Sequence, residues 1–320
     1  MNSPAPHLVR GFPAPGAVPG FVVATIGVFD GVHLGHQRLL REVVADAGRI
    51  HAAALITFDP HPRCVLDPEG CPPLLTSIEE RALLSTRRGV VHTVALDFTP
   101  ELSTWTGERF VDRLLESVRL RRLVLGPGFA LGRERAGDEA FLREYGATHG
   151  FDVVTIDPLI VDGERVSSGR VRAAVLAGDV ALAAELLGRF HHLPGTVVEG
   201  DRRGRTLGFP TANVRSDTWR CVPAAGVYAT WVRAQGTWYR AATGIGVRPT
   251  FGGETTTVEA FILDFTGDLY GADVELQFVA RLREERAYPD TESLVAQMHD
   301  DVGAVRTLMA ELPEPAALTE

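Results

Sequence analysis

The stretch GDRRGRTLGFPTANV, residues 200–214, separates two sequence patterns of different architecture. Ahead of it, short apolar runs alternate with helical periodicities; beyond it, alternating runs follow one another with only turns between them. Glycines at 200, 204 and 208 let backbone approach a ligand closely, because no Cβ stands in the way. Arg202, Arg203 and Arg205 put fixed positive charge into the same loop, and guanidinium groups can grip phosphate oxygens in pairs. Pro210 fixes φ and opens an extended run, on which Thr211 and Asn213 share a face with small Ala212 between them. A hydroxyl and a carboxamide oxygen are hard neutral donors of the kind that complete a Mg²⁺ shell together with nucleotide phosphates. The same residues also suit a plain glycine-rich hairpin with solvated arginines and a hydrogen-bonded Thr/Asn pair.

A chain of 320 residues suggests two domains, and 45% hydrophobic with 8% aromatic residues gives each a core. No apolar run is long enough to cross a bilayer. Residues 1–20, rich in Pro, Ala and Gly, read as a loose leader and lack the pattern of a secretion signal. The three cysteines, Cys64, Cys71 and Cys221, are too scattered for a disulfide framework or a closed zinc site, and the compartment expected is the cytoplasm. A net charge of −9 argues against a nucleic-acid surface. The chain has no lysine, which excludes a GxxxxGK[ST] phosphate loop; phosphate chemistry must rest on arginine, histidine, backbone amides and metal. Nothing in the sequence speaks to oligomeric state.

Working back toward the N-terminus, VVATIGVFD (22–30) reads as a buried strand running into a turn, followed by a helix carrying Leu39, Leu40, Val43, Val44 and Ala47. Apolar runs recur at 52–58, 91–96, 122–126 and 151–157, with helical patterns at 78–88, 107–118 and 138–148 between them. Such alternation predicts a parallel sheet covered on both faces, with ligands beyond the carboxyl ends of its strands. At the first strand end stands GVFDGVHLGH, in which His33 and His36 flank Gly35 where a helix should start. Amides and dipole there favour an anion, and two imidazoles three apart can add donors to a polyphosphate. A solvated pair, or two ligands of an incomplete zinc site, are the competing readings.

Working forward, Gly178–Phe190 reads as a short amphipathic helix between domains, with the boundary near residue 188. The expected organisation is therefore a leader at 1–20, an α/β domain at 21–188 and a second domain at 189–320. In the second, alternating runs at 226–233, 238–246, 257–263 and 273–283, joined by tight turns, predict a small antiparallel barrel, and residues 293–309 a helix on its outside.

TLGFPTANV closely resembles the signature of riboflavin kinase, and HxGH after G-x-F-D-G resembles the nucleotidyltransferase superfamily. TFDPHP (57–62), LLTSIEERALL (74–84), LGPGFALGRERAGD (125–138), VSSGRVR (166–172), GVRPTFGG and TTTVEAFILDFTGDLYG occur in the order found in bacterial bifunctional riboflavin kinase/FAD synthetases. The resemblance covers roughly residues 15–310. It implies a Rossmann-like nucleotidyltransferase domain, then a riboflavin kinase barrel with a C-terminal helix. The first would adenylylate FMN to FAD with release of pyrophosphate, holding ATP through Gly27, Phe29, Asp30, His33, His36, Ser167, Ser168 and Arg172, the two histidines aiding the chemistry. Ser167 and Ser168 equally suit a helix cap. The second would phosphorylate riboflavin to FMN, with ADP as by-product. There the resemblance puts Mg²⁺ on Thr211 and Asn213, nucleotide contacts on Gly200, Gly204, Arg205, Gly208 and Pro210, and the general base at Glu259. Two departures stand out: Gly128 replaces the usual Asp or Asn before Phe129, and Gly169 replaces the usual Thr or Ser. They motivate a second reading, a riboflavin kinase with a decayed adenylyltransferase half. A third is a flavin-binding regulator without activity.

Overall fold

Strand β2 (Phe21–Ile26) buries five residues in succession, which requires a sheet covered on both sides. The computed structural model describes residues 7–200, 208–250 and 253–318 and contains that sheet. Its six strands are parallel, in the order β1 (His7–Arg10), β4 (His92–Asp97), β3 (Ala52–Asp59), β2, β5 (Arg119–Leu125), β6 (Asp152–Thr155). Helices α1 (Leu34–Ala47), α3 (Ile78–Thr86), α5 (Gly107–Ser117) and α6 (Glu139–His149) fall on the expected periodic runs. Each begins at a side-chain cap, at His33, Ser77, Thr106 and Asp138 respectively. From β2 the chain winds outward through β3 to β4, then returns to the other side of β2 for β5. The strand order thus reverses between β2 and β5, and the crevice of an open α/β sheet lies at that point.

The N-terminal residues correct the expectation of a loose leader over 1–20. His7–Arg10 pair in register with β4, from His7 opposite His92 to Arg10 opposite Ala95, and Val18 is buried in the core. Two apolar residues, Leu8 and Val9, suffice for an edge strand once a neighbour supplies the ladder. The surrounding Pro and Gly hid them. The cysteines need a correction too: Cys64 and Cys71 form a disulfide, with an S–S distance of 1.99 Å. Between them short α2 (Pro62–Leu66) ends in a turn, where the Asp67 carboxylate accepts from Gly70 N at 3.1 Å, and this brings residue 71 back beside residue 64. Cys221 is buried and takes no part in that disulfide.

The second unit is a closed barrel of antiparallel strands in the order β10 (Ala212–Arg215), β13 (Gly253–Ile262), β12 (Thr237–Thr250), β11 (Gly226–Ala234), β14 (Asp273–Arg283), β9 (His191–Val198). A two-residue turn, Gln235–Gly236, joins β11 to β12 with φ of 50° and 82°. Left-handed turns of this kind match the twist of the strands they connect. Leu193, Tyr228, Val232, Ile245, Leu276 and Phe278 fill the interior. Helix α9 (Thr291–Leu308), capped by Asp290, lays Val305 against Ala229 and Trp231 on the outside. By contacts the chain divides between Ser168 and Gly169, ahead of the change of pattern near residue 188. Helices α7 (Ser168–Leu176) and α8 (Val180–Leu187) precede the barrel, and Val180 packs in its core.

Two measurements check these assignments. Val18→Ala should cost the first unit roughly 1–3 kcal/mol in chemical denaturation, as removal of buried methyls does; a loose leader would give no change. In the barrel, burial and then the neighbouring His192 push the His191 imidazole from 6.5 down to about 3. A group whose pKa is lower in the folded state stabilises above its unfolded value and loses that contribution as pH falls. Stability of the second unit should therefore decline from about pH 6.5 toward pH 3. Urea titrations at successive pH values should show His191→Gln flattening that decline.

Candidate active sites

At the crevice, the segment after β2 is a turn held almost entirely by side chains from elsewhere. Val28 O accepts from Thr57 Oγ1 at 2.8 Å and from Arg81 Nη1 at 3.2 Å. Asp30 O accepts from Ser168 Oγ at 2.8 Å, Val32 O from Gln37 Nε2 at 2.9 Å, and Gly31 N donates to Thr76 Oγ1 at 2.9 Å. The wholly buried Asp30 carboxylate accepts from Leu75 N and Thr76 N, each at 3.0 Å. Its charge is thus spent inside the protein, tying the turn to the cap of α3.

The turn delivers three stacked rings. His36 lies between Phe29 and His33, with centroid distances of 4.3 Å and 3.6 Å. His33 Nδ1 accepts from His36 N at 3.3 Å and caps α1, so the stack and the helix start are one structure. A Cβ at Gly35 would come within 3.1 Å of the His33 ring, so a larger residue there would press on the stack. Burial pushes the His36 imidazole well below its usual 6.5, and the nearby cationic groups His33, Arg81 and Arg165 add to this. His36 is therefore neutral at physiological pH, and its buried Nδ1 has no hydrogen-bond partner among the described residues. Gly27 and Phe29 line a cavity of about 710 Å³ with His36; its far wall is aromatic, with Phe58, Phe98, Trp105 and Phe129. The indole Nε1 of Trp105 is likewise buried without a partner among the described residues. Gly128 sits on the rim at φ 69°, its absent Cβ facing open space and its carbonyl accepting from Arg135 Nη2 at 2.7 Å. Ser167 immediately precedes α7, Ser168 opens it and braces Asp30, and Arg172 lies half-buried one turn further along, within the second unit.

In the barrel, β10 is the short stave between β9 and β13, and Asn213 stands opposite both Val198 and Glu259. Directly opposed residues of an antiparallel pair share a face with their Cβ atoms close together. Thr211 Oγ1 reaches the Glu259 carboxylate at 3.5 Å. The structure thus brings Thr211, Asn213 and Glu259 together; alternation places the first two on one face, and the resemblance supplies the third. Gly200 completes the group, since a Cβ there would collide with the Asn213 carboxamide. Gly208 has φ 84° and Pro210 is exposed; Gly204 and Arg205 lie outside the described residues, with Arg202 and Arg203. A cavity of about 610 Å³ opens beside Glu259. Its floor is bare because Gly244 and Gly246 stand opposite Glu259 and Thr257, and Tyr288 and Leu294 form part of its wall. Arg283 holds that wall: it grips Asp301 of α9 at 2.9 and 2.7 Å, donates to Glu284 O, and lies 5.7 Å from the Tyr288 ring centroid. A carboxylate at hydrogen-bonding range of a hydroxyl, beside hard oxygen donors, can take a proton from an alcohol next to a metal-bound phosphate.

Sequence reasoning missed the groups that hold these sites, Thr57, Thr76, Arg81, Arg283 and Asp301. The only local sign was Ser77-x-x-Glu80, a capping box at the start of α3.

A family described as FAD synthetase matches residues 18–170, and one described as riboflavin kinase matches residues 187–309. The bifunctional riboflavin kinase/FMN adenylyltransferase of Pseudomonas fluorescens is 38% identical over 291 residues, covering 90% of this chain and 93% of that protein. The protein of that name in Listeria monocytogenes is 34% identical over 295 residues, covering 91% and 94%. A crystal structure from Streptococcus pneumoniae, named a macrolide-efflux protein, is 30% identical with a TM-score of 0.87, covering 93% of this chain and 98% of that one. Among the described residues here, no helix is long and apolar enough to cross a membrane.

Because Gly200 and Asn213 are in contact, Gly200→Ala should overpack the barrel rim and cost roughly 1–3 kcal/mol in urea denaturation. A variant as stable as the parent would show that the two do not touch.

Proposed function

We infer that the two units divide the work of the family to which this chain belongs, the bifunctional riboflavin kinase/FMN adenylyltransferases. The chain phosphorylates riboflavin to FMN with ATP and adenylylates FMN with ATP, giving FAD and pyrophosphate. A single observation carries the division of labour. Each unit has its own cavity beside its own phosphate-suited group, the histidine stack in one and the Thr211–Asn213–Glu259 cluster in the other. The matched segments, 18–170 and 187–309, support a functional boundary between residues 170 and 187, which keeps Ser167 and Ser168 with the adenylyltransferase.

In the first unit, ATP lies along the start of α1 with its phosphates against His33 and His36, and the flavin ring enters the aromatic wall of the cavity. Gly27 and Phe29 supply backbone and ring to this surface, Asp30 and Ser168 fix it from behind, and Ser167 extends it toward the nucleotide. A neutral imidazole keeps one N–H, so His36 can donate to a phosphate oxygen without contributing charge. The FMN phosphate attacks the α-phosphorus already ionised, so alignment and neutralisation are needed and a general base is not. The open space at Gly128 supports a cavity shaped for the reaction even without the customary Asp or Asn.

In the second unit, Glu259 takes the proton from the riboflavin 5′-hydroxyl as that oxygen attacks the terminal phosphate. Thr211 and Asn213 suit Mg²⁺, since both offer hard oxygens and bare Gly200 leaves the carboxamide room. Phosphate and water oxygens would supply the remaining donors. Bound there, the ion would neutralise phosphate oxygens during transfer. Gly204 and Arg205, with Gly200, Gly208 and Pro210, are the nucleotide contacts that the resemblance implies, and ADP is the by-product. The compartment we propose is the cytoplasm, where riboflavin and ATP are both at hand.

Glu259→Gln should cut FMN formation by roughly a thousandfold while FMN-to-FAD conversion stays within about twofold. His36→Ala should do the reverse, slowing adenylylation by roughly 100-fold or more with kinase turnover retained. Chromatography of flavins over time, starting from riboflavin or from FMN, reads both; equal losses in the two activities would refute the division.

A further inference from the structure

The turn that carries the ring stack has a backbone its own residues resist. Phe29 has φ 55° and Val32 φ 41°, left-handed values that bulky and β-branched residues rarely adopt. Such conformations persist only where the surroundings over-determine them, and they concentrate where a site must be held in one shape. Of the side chains that hold this turn, Arg81 does the most diverse work. One guanidinium donates to Val28 O in the turn at 3.2 Å, to Phe58 O at the end of β3 at 3.1 Å, and to Thr76 O beside the cap of α3 at 3.4 Å. Three chain segments meet on one rigid fork. Arg81 is 1% exposed, lies in the LLTSIEERALL stretch, and takes no part in the chemistry described above.

We propose that Arg81 is a positioning residue for adenylyl transfer: by binding the carbonyls of Val28, Phe58 and Thr76 together, it fixes the Phe29–His36–His33 stack on which the triphosphate is aligned. The proposal rests on the reading that the first unit converts FMN to FAD. A planar guanidinium spans three diverging carbonyls, whereas an ammonium offers one point charge that cannot reach them all. The cation also sits near the buried Asp30 carboxylate, which accepts from Leu75 N and Thr76 N. Loss of Arg81 therefore loosens the turn from two sides. Charge reaches the stack as well: the cationic groups facing His36 are His33 from its own turn and helix cap, Arg81 from α3, and Arg165 from the strand β8 (Glu164–Arg165). Removing one of them raises the pH at which His36 takes up a proton; exchanging it for lysine does not.

The test uses the full chain with Arg81→Met, Arg81→Lys and Thr76→Val. The last keeps the arginine but removes the hydroxyl that receives Gly31 N. FMN-to-FAD kinetics are measured beside riboflavin phosphorylation on the same samples, with melting curves for folding and NMR titration of His36. Arg81→Met should lower the adenylylation kcat roughly 100-fold with KM for FMN within about threefold, and should move the His36 titration to higher pH. Arg81→Lys and Thr76→Val should each lower kcat roughly tenfold with the titration unmoved. Kinase turnover should stay at the parental rate throughout. A folded Arg81→Met that forms FAD at the parental kcat, or loses kcat with the titration unmoved, would overturn the proposal. If that variant does not fold, parental kcat in the other two overturns it. A parent chain that forms no FAD would strike the functional reading instead, and the His36 titration would still decide whether Arg81 governs the turn.

Discussion

A strand that ends leaves backbone groups without a ladder, and a buried carbonyl must find another partner. The first unit is organised by that constraint. Where β2 stops, the carbonyls of Val28, Asp30 and Val32 are taken up by Thr57, Arg81, Ser168 and Gln37. Because those partners come from β3, α3, α7 and α1, the strand end is also where the unit is knitted together. The barrel answers the same constraint by closure. Every stave has two neighbours, so Asn213 and Glu259 project from strand positions instead of from a released turn.

Arginine and histidine do all the cationic work in this lysine-free chain. That choice suits the buried positions. A guanidinium carries its charge at depth, as Arg81 does beside Asp30, and its planar fork reaches three carbonyls at once. Histidine does the opposite at the stack, where burial and cationic neighbours keep His36 uncharged. The first cavity therefore combines a fixed charge behind the turn with a neutral donor at its surface.

The strand and helix pattern was legible because each β-α unit repeats within about thirty residues and buries a periodic face. Thr211, Asn213 and Glu259 were legible as well: period two and a recognisable string placed them on one side of their strands, and the barrel register joined them. What escaped was long-range. Asp30 meets Thr76 at a separation of 46 residues and Ser168 at 138, and no local window holds both ends of such a contact. Asp30 looked like part of a ligand motif, but its carboxylate faces inward to amides of another loop. The edge strand at His7–Arg10 was masked by Pro and Gly on both sides, and the Cys64–Cys71 pair by a turn whose closure depends on Asp67.

Strand β10, only four residues long, is the seam of the barrel: it alone joins β9 to β13. It also carries Asn213, with Thr211 immediately before it. A molecule that clasps these two side chains therefore bolts the seam shut, and by mass action its affinity is added to the resistance of the whole cylinder against unzipping.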